Sequence, residues 1–202
     1  RGLTVFLVDA DTKGISIGKE EDKMGIRASA TAEIIFEDCF VPDSARVGKE
    51  GRGFMIAMQT LQMSRPVVAA ISVGIAQAAI EAAVAYSHHR KQFGVKIATF
   101  EMVQQMIADM VMKTEAARIL TYKACVAQMN KDKKAGLYSA MSKCFASDTA
   151  MEVTTTAVQV MGGNGYSREN PVEKYMRDAK IMQIYEGTNQ VQRLVIANET
   201  TF

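Results

Sequence analysis

Short apolar or alternating runs, separated by glycine and proline, dominate roughly the first 45 residues of the chain. Residues 3–8 form an apolar, β-branched run, while residues 15–17 and, more loosely, residues 32–36 alternate between apolar and polar side chains. These patterns are typical of β-strands, and the intervening glycines and Pro42 mark turns. A few strands of this length cannot close a sheet unaided, so we expect their partners to lie upstream.

Longer helical patterns occupy the rest of the chain. The first predicted helix runs from about Gly53 to Arg90, and residues 66–86 within it are almost continuously apolar, broken mainly by Gln77 and Glu81. Such a stretch suits either a membrane span or the centre of a helical bundle. The run is rich in alanine, contains a glutamate and lies within a longer helix with polar ends. We therefore predict a core helix and no membrane insertion.

Two further long helices are predicted from the 3.6-residue spacing of apolar residues. The second begins near Thr99, whose hydroxyl can cap the first turn. A polar, lysine-rich turn at residues 130–136 precedes the third helix, which covers roughly residues 137–161. Gly162 and Gly163 follow it, and glycine readily adopts the left-handed conformation that ends a helix.

Two shorter helices complete the predicted pattern. Asn170 can cap a helix that has Pro171 at its first position, with Glu173 bonding back to the cap. The last helix begins near Thr188 and continues to the end of the chain. The sequence therefore predicts a mainly α fold, in which an up-down helical bundle follows a few strands.

The composition gives no indication of a nucleic-acid partner, a disulfide framework or a metal site. The 202 residues include 24 basic and 22 acidic side chains, so no large field of one sign indicates a nucleic-acid partner. The three cysteines are odd in number and widely spaced, which fits reduced thiols better than a disulfide framework. The two histidines, His88 and His89, are adjacent, whereas a helical metal pair needs i, i+4 spacing, so we predict no metal site.

One carboxylate, Glu186, lies in surroundings that suit acid–base chemistry. It stands between Tyr185 and Gly187, just before a helix that Thr188 can cap, and residues 181–185 are uncharged. A carboxylate that loses hydration becomes a stronger base near neutral pH. The alternative is a surface glutamate at a helix start, which the helix dipole favours. Taken alone, this residue favours the surface glutamate.

Two other motifs could bind phosphate groups. The glycine-rich run 159–166 follows a helix rather than a strand, so it is not a Rossmann fingerprint. It is either a helix stop or a turn that offers bare backbone N–H groups to a phosphate. The run 90–94 ends the first long helix. Its cations either stabilise the helix C-terminus or form a diphosphate clamp, with Arg90 as a forked donor and Phe93 as an apolar face.

Together these motifs resemble the acyl-CoA dehydrogenase family. Three features match the family in order and spacing, namely residues 90–94, the run 159–166 followed by residues 171–178, and residues 184–193. The joint pattern is specific to this family. The resemblance covers essentially the whole chain, which corresponds to about half of a family member.

The resemblance implies two domains. Residues 1–48 would be the C-terminal part of the family's middle β-barrel domain, which is incomplete here, and residues 23–27 resemble its end. Residues 49–202 would form the C-terminal helical-bundle domain that contacts FAD and acyl-CoA. Because the chain has no initiator methionine, we expect a fragment that lacks the N-terminal helical domain and the first part of the β domain.

The resemblance also implies a chemistry. Glu186 matches the base that removes the α-proton of an acyl-CoA thioester while a hydride passes from the β-carbon to N5 of FAD, giving a trans-2-enoyl-CoA. The thioester carbonyl would accept hydrogen bonds from the Glu186 backbone N–H and a flavin ribityl hydroxyl. The residues matched to FAD binding are Arg90, Gln92, Phe93, Gln159, Gly162, Gly163, Thr188 and Gln190. Those matched to the substrate region are Arg65, Tyr185 and Gly187.

The same resemblance implies partners and a location. The adenosine diphosphate end of FAD would be held across a subunit interface, so we expect a homodimer or homotetramer. Electrons would leave to an electron-transferring flavoprotein. We expect the bacterial cytoplasm or the mitochondrial matrix, not secretion.

Two positions refine the interpretation. Some family branches place the base immediately before the arginine that Arg65 matches; that position is Ser64 here, so Glu186 has no competitor. Gln62 stands where many members have an acidic residue, which weakens any transfer of a CoA contact to it and could mark an unusual substrate.

Two alternatives to a dehydrogenase of short or medium straight-chain acyl-CoA stay open. An acyl-CoA oxidase on the same fold would pass electrons to O₂, and the sequence does not separate the two. The other alternative is a truncated, non-catalytic helical interaction module. The chain lacks the segments that contact the flavin ring in relatives, so we expect it to bind FAD poorly by itself.

Overall fold

Paired strands form the first of two compact units in the computed structural model, which describes residues 2–201. The strands are β1 (Val5–Phe6), β2 (Ile15–Glu20), β3 (Ala32–Phe36) and β4 (Arg46–Val47). β1 pairs antiparallel with β4, and β2 pairs antiparallel with β3, so the strands of this unit form two separate two-stranded sheets. The predicted strands therefore form, although the first is shorter than its apolar run.

Several large apolar side chains of the strand unit are exposed. They include Leu7, Ile17, Ile34 and Phe40. A two-stranded ribbon cannot bury such side chains by itself, because burial needs a further strand or a helix against the sheet face. Exposed apolar side chains are therefore expected in strand pairs that have no further strand or helix against them.

A long helix, α1 (Gly53–His89), begins in the first unit and continues into the second, the boundary falling after Gln62. By length and composition α1 could cross a membrane. However, Ala79 and Ala83 are fully buried in the core of the second unit. Core packing thus accounts for part of the apolar character of α1, in agreement with the predicted core helix, while Met63, Val67 and Ile71 are exposed. The domain boundary after residue 48 stays a prediction.

A tight hairpin follows α1, and the sequence patterns did not predict it. β5 (Lys91–Gln92) pairs with β6 (Val95–Lys96) across a turn in which Phe93 and Gly94 have φ values of 52° and 82°. Positive φ at both central residues is characteristic of a type I′ turn, whose twist matches that of the flanking strands. The hairpin leaves 93% of Phe93 exposed.

The second long helix, α2 (Glu101–Met129), starts after a short 3₁₀ turn at Ile97–Thr99. The prediction that Thr99 caps α2 is wrong. The Thr99 hydroxyl donates instead to the Lys96 carbonyl at 2.7 Å, and Phe100 occupies the capping position without a side-chain hydrogen bond. A threonine hydroxyl can donate to a nearby backbone carbonyl as readily as it can accept from a backbone N–H at a helix start. Here it donates to a carbonyl at the local 3₁₀ turn.

The third long helix, α3 (Ala135–Met161), ends where the glycine pair predicted. Gly162 follows it with φ 59°, a conformation that side chains with a Cβ rarely adopt. The chain then forms one more short helical turn, α4 (Gly163–Tyr166). The short connection at residues 130–134 makes α2 and α3 antiparallel neighbours, as an up-down bundle requires.

Helix α5 (Val172–Met182) forms as predicted, but the hydrogen bonds that were predicted to cap its start do not form. Asn170 donates its side-chain amide to the Asn164 carbonyl, and the capping position makes no side-chain hydrogen bond. Glu173 forms a bidentate ion pair with Arg177 one turn later instead of bonding back to the cap. The predicted capping box is therefore wrong, because a guanidinium one turn away is a better partner for this carboxylate than a backbone N–H.

The last helix, α6 (Asn189–Thr201), confirms the predicted cap. The Thr188 hydroxyl accepts a hydrogen bond from the Val191 backbone N–H at 3.3 Å. Such a bond satisfies one of the orphan donors at a helix start. Thr188 thereby fixes the point at which the chain enters α6, directly after the turn that contains Glu186.

The core of the second unit is built largely from small side chains. Helices α1, α2, α3 and α5 all contribute buried residues to one cluster, which consists of Ala76, Ala79, Ile80, Ala83, Met110, Ala150, Val153, Ala157, Val160, Met161, Val172 and Ala179. Small residues let helix axes approach closely while the interior stays densely packed. The observed fold is the mainly α bundle that the sequence predicts.

Two glycines in α4 make a matched pair for testing stability. A Cβ at Gly165 would lie 2.6 Å from the Val158 carbonyl oxygen and 2.9 Å from Met161 Cβ, whereas a Cβ at Gly163 would meet nothing within 4 Å. We expect Gly165→Ala to destabilise the protein by about 1–3 kcal/mol through overpacking, and Gly163→Ala to change stability little. Thermal unfolding of both variants checks this; equal melting temperatures would contradict it.

Candidate active site

Glu186 lies in a tight turn between α5 and α6. Glu186 and Gly187 are consecutive residues in the left-handed region, with φ values of 55° and 91°. For a residue with a Cβ this conformation costs roughly 1–2 kcal/mol, so the surrounding structure must hold it. Gly187 is required twice over, because a Cβ there would also lie 2.6 Å from Gln192 Nε2.

The carboxylate of Glu186 is half-buried and has two polar neighbours on α1. Ser64 Oγ donates a hydrogen bond to Glu186 Oε2 at 2.5 Å. Arg65 is only 8% exposed, and burial lowers the pKa of its guanidinium while the charge of Glu186 opposes that shift. Arg65 Nε has no hydrogen-bond partner among the described residues. The carboxylate is thus held by a hydroxyl beside a buried cation, which is not the environment of a solvated surface glutamate.

The Tyr185 hydroxyl is engaged with a residue of α5. The hydroxyl contacts Met182 Sδ at 2.9 Å, toward the end of α5. Burial raises the pKa of the Tyr185 phenol, and the negative charge of Glu186 raises it further. The phenol therefore stays protonated near neutral pH, and the contact of Tyr185 with substrate stays a prediction.

A buried lysine lies beneath the turn. Lys143, on α3, is 0% exposed, and its Nζ donates to the Gly187 carbonyl and to Asn189 Oδ1, each at 2.9 Å. Gln192 Nε2, on α6, donates to the carbonyls of Glu186 and Gly187 at 3.3 and 3.0 Å. The two carbonyls of the left-handed pair therefore point inward onto side-chain donors.

Asp148 organises the polar groups beside this lysine. Its carboxylate accepts hydrogen bonds from Gln183, Asn189 and Arg193 at 2.6–2.7 Å. Burial is the largest single influence and disfavours the charged form, but these three donors together hold the pKa of Asp148 below its usual range. Asp148 thus ties the end of α5 and the start of α6 to α3, on either side of the Glu186 turn.

The protonation of Lys143 should be visible in the stability of the protein. Burial lowers the pKa of Lys143 from about 10.5 to about 8. Between these two pH values the unfolded chain binds a proton that the folded chain does not, so folding stability rises with pH across this window. We expect the unfolding free energy of the native protein, minus that of a Lys143→Met variant, to increase from pH 8 to pH 10.5. Denaturant unfolding at several pH values measures this difference; a flat or falling difference would contradict it.

Five of the predicted FAD residues line one cleft at the end of α3. This cleft, of about 400 Å³, is lined by residues that include Arg90, Gln92, Gln159, Gly162 and Gly163. Neither glycine has an atom of the chain within 4 Å of the position a Cβ would take, so backbone is open to the cleft at that point. The structure therefore brings together two motifs that lie about 70 residues apart in the sequence.

Two other predicted FAD residues lie in a different cleft. Thr188 and Gln190 line an opening of about 460 Å³ together with Asp148 and Arg193. Asp148 and Gln159 both belong to α3, so the two clefts are separated by roughly 16 Å along the helix axis at 1.5 Å per residue. Phe93, the eighth predicted residue, is not among the lining residues of either cleft.

Sequence reasoning missed the residues that support the Glu186 turn. It noted only that Ser64 is not a carboxylate, and it did not identify Lys143, Asn189 or Gln192. One signal was available, since Lys143 stands among small and apolar residues in the middle of α3. A lone lysine at a position that helical spacing assigns to the core needs a partner, and here its partners are 44 and 46 residues away in the sequence.

Comparison with known proteins identifies the class. The sequence model of the acyl-CoA dehydrogenase C-terminal domain matches residues 51–201. The chain is 52% identical over 97% of its length to a probable acyl-CoA dehydrogenase of Mycobacterium tuberculosis, covering 50% of that protein. It is 47% identical over 98% of its length to the mitochondrial short-chain specific acyl-CoA dehydrogenase of Mus musculus, covering 48% of it. The chain belongs to the acyl-CoA dehydrogenase family.

Solved structures agree with this assignment. The butyryl-CoA dehydrogenase of Megasphaera elsdenii superposes with a TM-score of 0.97 at 49% identity, over 100% of this chain and 52% of that one. The helical fold around Glu186 is therefore the fold of a family member. The chain spans about half the length of the relatives it matches.

Proposed function

We propose that this chain supplies the catalytic base and part of the cofactor site of a flavin-dependent enzyme that oxidises a short-chain acyl-CoA to the trans-2-enoyl-CoA. The observation that carries the proposal is the Glu186 carboxylate, half-buried in a left-handed turn, hydrogen-bonded to Ser64 and adjacent to the buried Arg65. The names of the relatives favour short acyl chains, since one is short-chain specific and another acts on butyryl-CoA.

Proton removal is the difficult step, because a carbon beside a thioester carbonyl is far less acidic than a carboxylic acid. The Glu186 turn contains backbone N–H groups that can donate to the substrate. The backbone N–H groups of Glu186, Gly187 and Thr188 have no acceptor within residues 2–201. An N–H aimed at the thioester oxygen stabilises the negative charge that develops there, by roughly 3–4 kcal/mol per donor in well-studied enzymes. The residue that takes the proton would then also stabilise the enolate through its own backbone.

Ser64 and Arg65 hold the base in position. The Ser64 hydrogen bond fixes one carboxylate oxygen, which leaves Oε1 as the atom to receive the α-proton. The Arg65 guanidinium attracts the charged carboxylate from within the protein. Side chains locked in this way reduce the reorganisation that the reaction requires.

The residues of the first cleft fit the adenosine diphosphate end of FAD. Arg90 supplies a forked, permanently charged donor, and Gly162 and Gly163 leave backbone open to a phosphate. Gln92 and Gln159 add amide groups to the same cleft. When bound, FAD would accept the hydride from the β-carbon of the substrate. Phe93, exposed beside this cleft, would provide an apolar contact.

Separation of the two clefts supports a shared cofactor. Thr188 and Gln190 adjoin the Glu186 turn, whereas Arg90 and Gly162 lie at the far end of α3. The family resemblance implies that an FAD whose reactive ring faces Glu186 in one subunit has its diphosphate against the Arg90 cleft of another. We therefore propose a homodimer or homotetramer, with an electron-transferring flavoprotein as the electron acceptor.

The test uses the complete polypeptide that the gene encodes, purified with FAD. Anaerobic addition of butyryl-CoA is expected to bleach the flavin absorbance near 450 nm and to produce crotonyl-CoA. Absence of bleaching with acyl-CoA substrates of four to twelve carbons would overturn the proposal. Rapid peroxide production in air, without an acceptor protein, would identify an oxidase instead of a dehydrogenase.

A further inference from the structure

Lys143 makes an unusual set of contacts for a buried cation. Its ammonium contacts a backbone carbonyl and an amide oxygen, and no carboxylate forms an ion pair with it among the residues that the structure describes. Asp148 and Glu186 attract its charge at longer range, while Arg65 repels it. Burial of a charge without a direct counter-ion opposes folding. The charge of Lys143 therefore does not by itself stabilise the fold, and its two hydrogen bonds indicate where it can act.

One of the two acceptors of Lys143 has a second donor. Gln192 Nε2 also donates to the Gly187 carbonyl at 3.0 Å, so that oxygen stays paired without the lysine. Ser147 Oγ lies 3.2 Å from Asn189 Oδ1, but its single proton has a closer acceptor in the Lys143 backbone carbonyl, at 2.7 Å. Removal of Lys143 also takes an ammonium without a direct counter-ion out of the core, which offsets the bond lost at Asn189, so we expect the bundle to stay folded.

Lys143 and Gln192 together hold the direction of one peptide group, and Lys143 is the charged donor of the two. The peptide between Gly187 and Thr188 is planar and trans, so a carbonyl drawn inward by Lys143 turns the Thr188 N–H outward. Gln192 Nε2 likewise draws the Glu186 carbonyl inward, through a longer hydrogen bond of 3.3 Å, and so orients the peptide between Glu186 and Gly187. Together they hold both peptides that follow Glu186, and with them the left-handed conformation of Glu186 itself.

We propose that Lys143 is a positioning residue for the base, a buried ammonium that pins the Gly187 carbonyl and thereby holds Glu186 in its left-handed turn. This inference rests on the proposed function, because it assigns Lys143 a role in presenting the carboxylate to the α-carbon. Without the lysine, the Gly187 carbonyl keeps only the neutral Gln192 donor, which forms a weaker hydrogen bond than the ammonium. The Gly187–Thr188 peptide can then reorient, and Glu186 can relax toward an ordinary conformation in which its carboxylate no longer meets the substrate.

The test compares Lys143→Met with the native protein as the complete, FAD-loaded polypeptide. Displacement of a catalytic group by about 1 Å costs on the order of 10²-fold in rate, so we expect the limiting rate of flavin bleaching by butyryl-CoA to fall by about that factor. KM should change by less than about 3-fold, because uniform substrate binding is retained. The melting temperature should not fall. Lys133→Met, which removes an exposed lysine from the turn between α2 and α3, is the matched control and should leave all three quantities unchanged.

A second variant keeps the proposal falsifiable should methionine be poorly accommodated. Lys143→Gln retains an N–H donor without the charge, and we expect a limiting rate between those of Lys143→Met and the native protein. Native limiting rates in both variants would overturn the proposal. A rate loss that tracks a lower melting temperature in both variants would also overturn it, since the lysine would then be structural. Glu186→Gln, run in parallel, separates this inference from the proposed function: if it too bleaches at the native rate, the assignment of the base has failed.

Discussion

Replacement of Glu186 with glutamine is expected to slow flavin bleaching by butyryl-CoA by roughly 10²- to 10⁴-fold, the range that a positioned general base contributes. Glutamine has nearly the same shape and can still accept the Ser64 hydrogen bond through its carbonyl oxygen. It cannot take up a proton near neutral pH. The loss should therefore appear in the chemical step, with the flavin spectrum and the melting temperature close to native.

A matched control for this variant is Glu199→Gln, which removes an exposed carboxylate from the same stretch of chain. Stopped-flow absorbance near 450 nm under anaerobic conditions measures both variants. Native bleaching by Glu186→Gln would show that another group takes the α-proton. Loss of bleaching in both variants would mean that the assay reports general damage rather than the base.

Replacement of Arg90 with glutamine is expected to weaken FAD binding by about 10- to 100-fold. A hydrogen bond to a charged group contributes roughly 1.5–3 kcal/mol, and each 1.4 kcal/mol corresponds to a factor of ten in Kd. Arg90 is exposed at the mouth of its cleft, so solvent screening places the effect toward the lower end of this range. Fluorescence titration of the FAD-free complete polypeptide measures the dissociation constant.

Arg27→Gln provides the comparison, since it removes an exposed guanidinium from the strand unit. Its FAD affinity should equal that of the native protein. An unchanged Kd for Arg90→Gln would mean that the cleft at the end of α3 does not hold the diphosphate. Equal weakening in both variants would point to net charge rather than to a specific contact.

The long helices were predictable because their apolar residues recur with helical spacing and because Gly162 stops α3. Short-range details were less predictable. The Thr99 and Glu173 caps failed since each side chain found a competing partner within one turn. The hairpin after α1 was missed because Phe93 is not a residue that favours positive φ, so Gly94 is the only compositional signal within the two-residue turn.

Glu186 and the two groups of cleft residues were selected because short runs of sequence mark them, and their roles stay predictions. The polar support beneath Glu186 is not marked in this way. Lys143 meets its acceptors across a gap of more than forty residues, and hydrogen bonds at that separation depend on how α3 packs against α6. Neither the periodicity of α3 nor its composition reveals which side of the helix faces the turn.

The Lys143 contacts have a practical consequence for anyone engineering this protein. Laboratory evolution that screens only for heat resistance would be drawn to position 143, where an apolar side chain spares the bundle an interior ammonium. If Lys143 positions the base as proposed, a clone selected in this way would unfold at a higher temperature and turn over more slowly, and a screen for heat resistance would not detect the loss. Any such campaign should therefore hold residue 143 fixed.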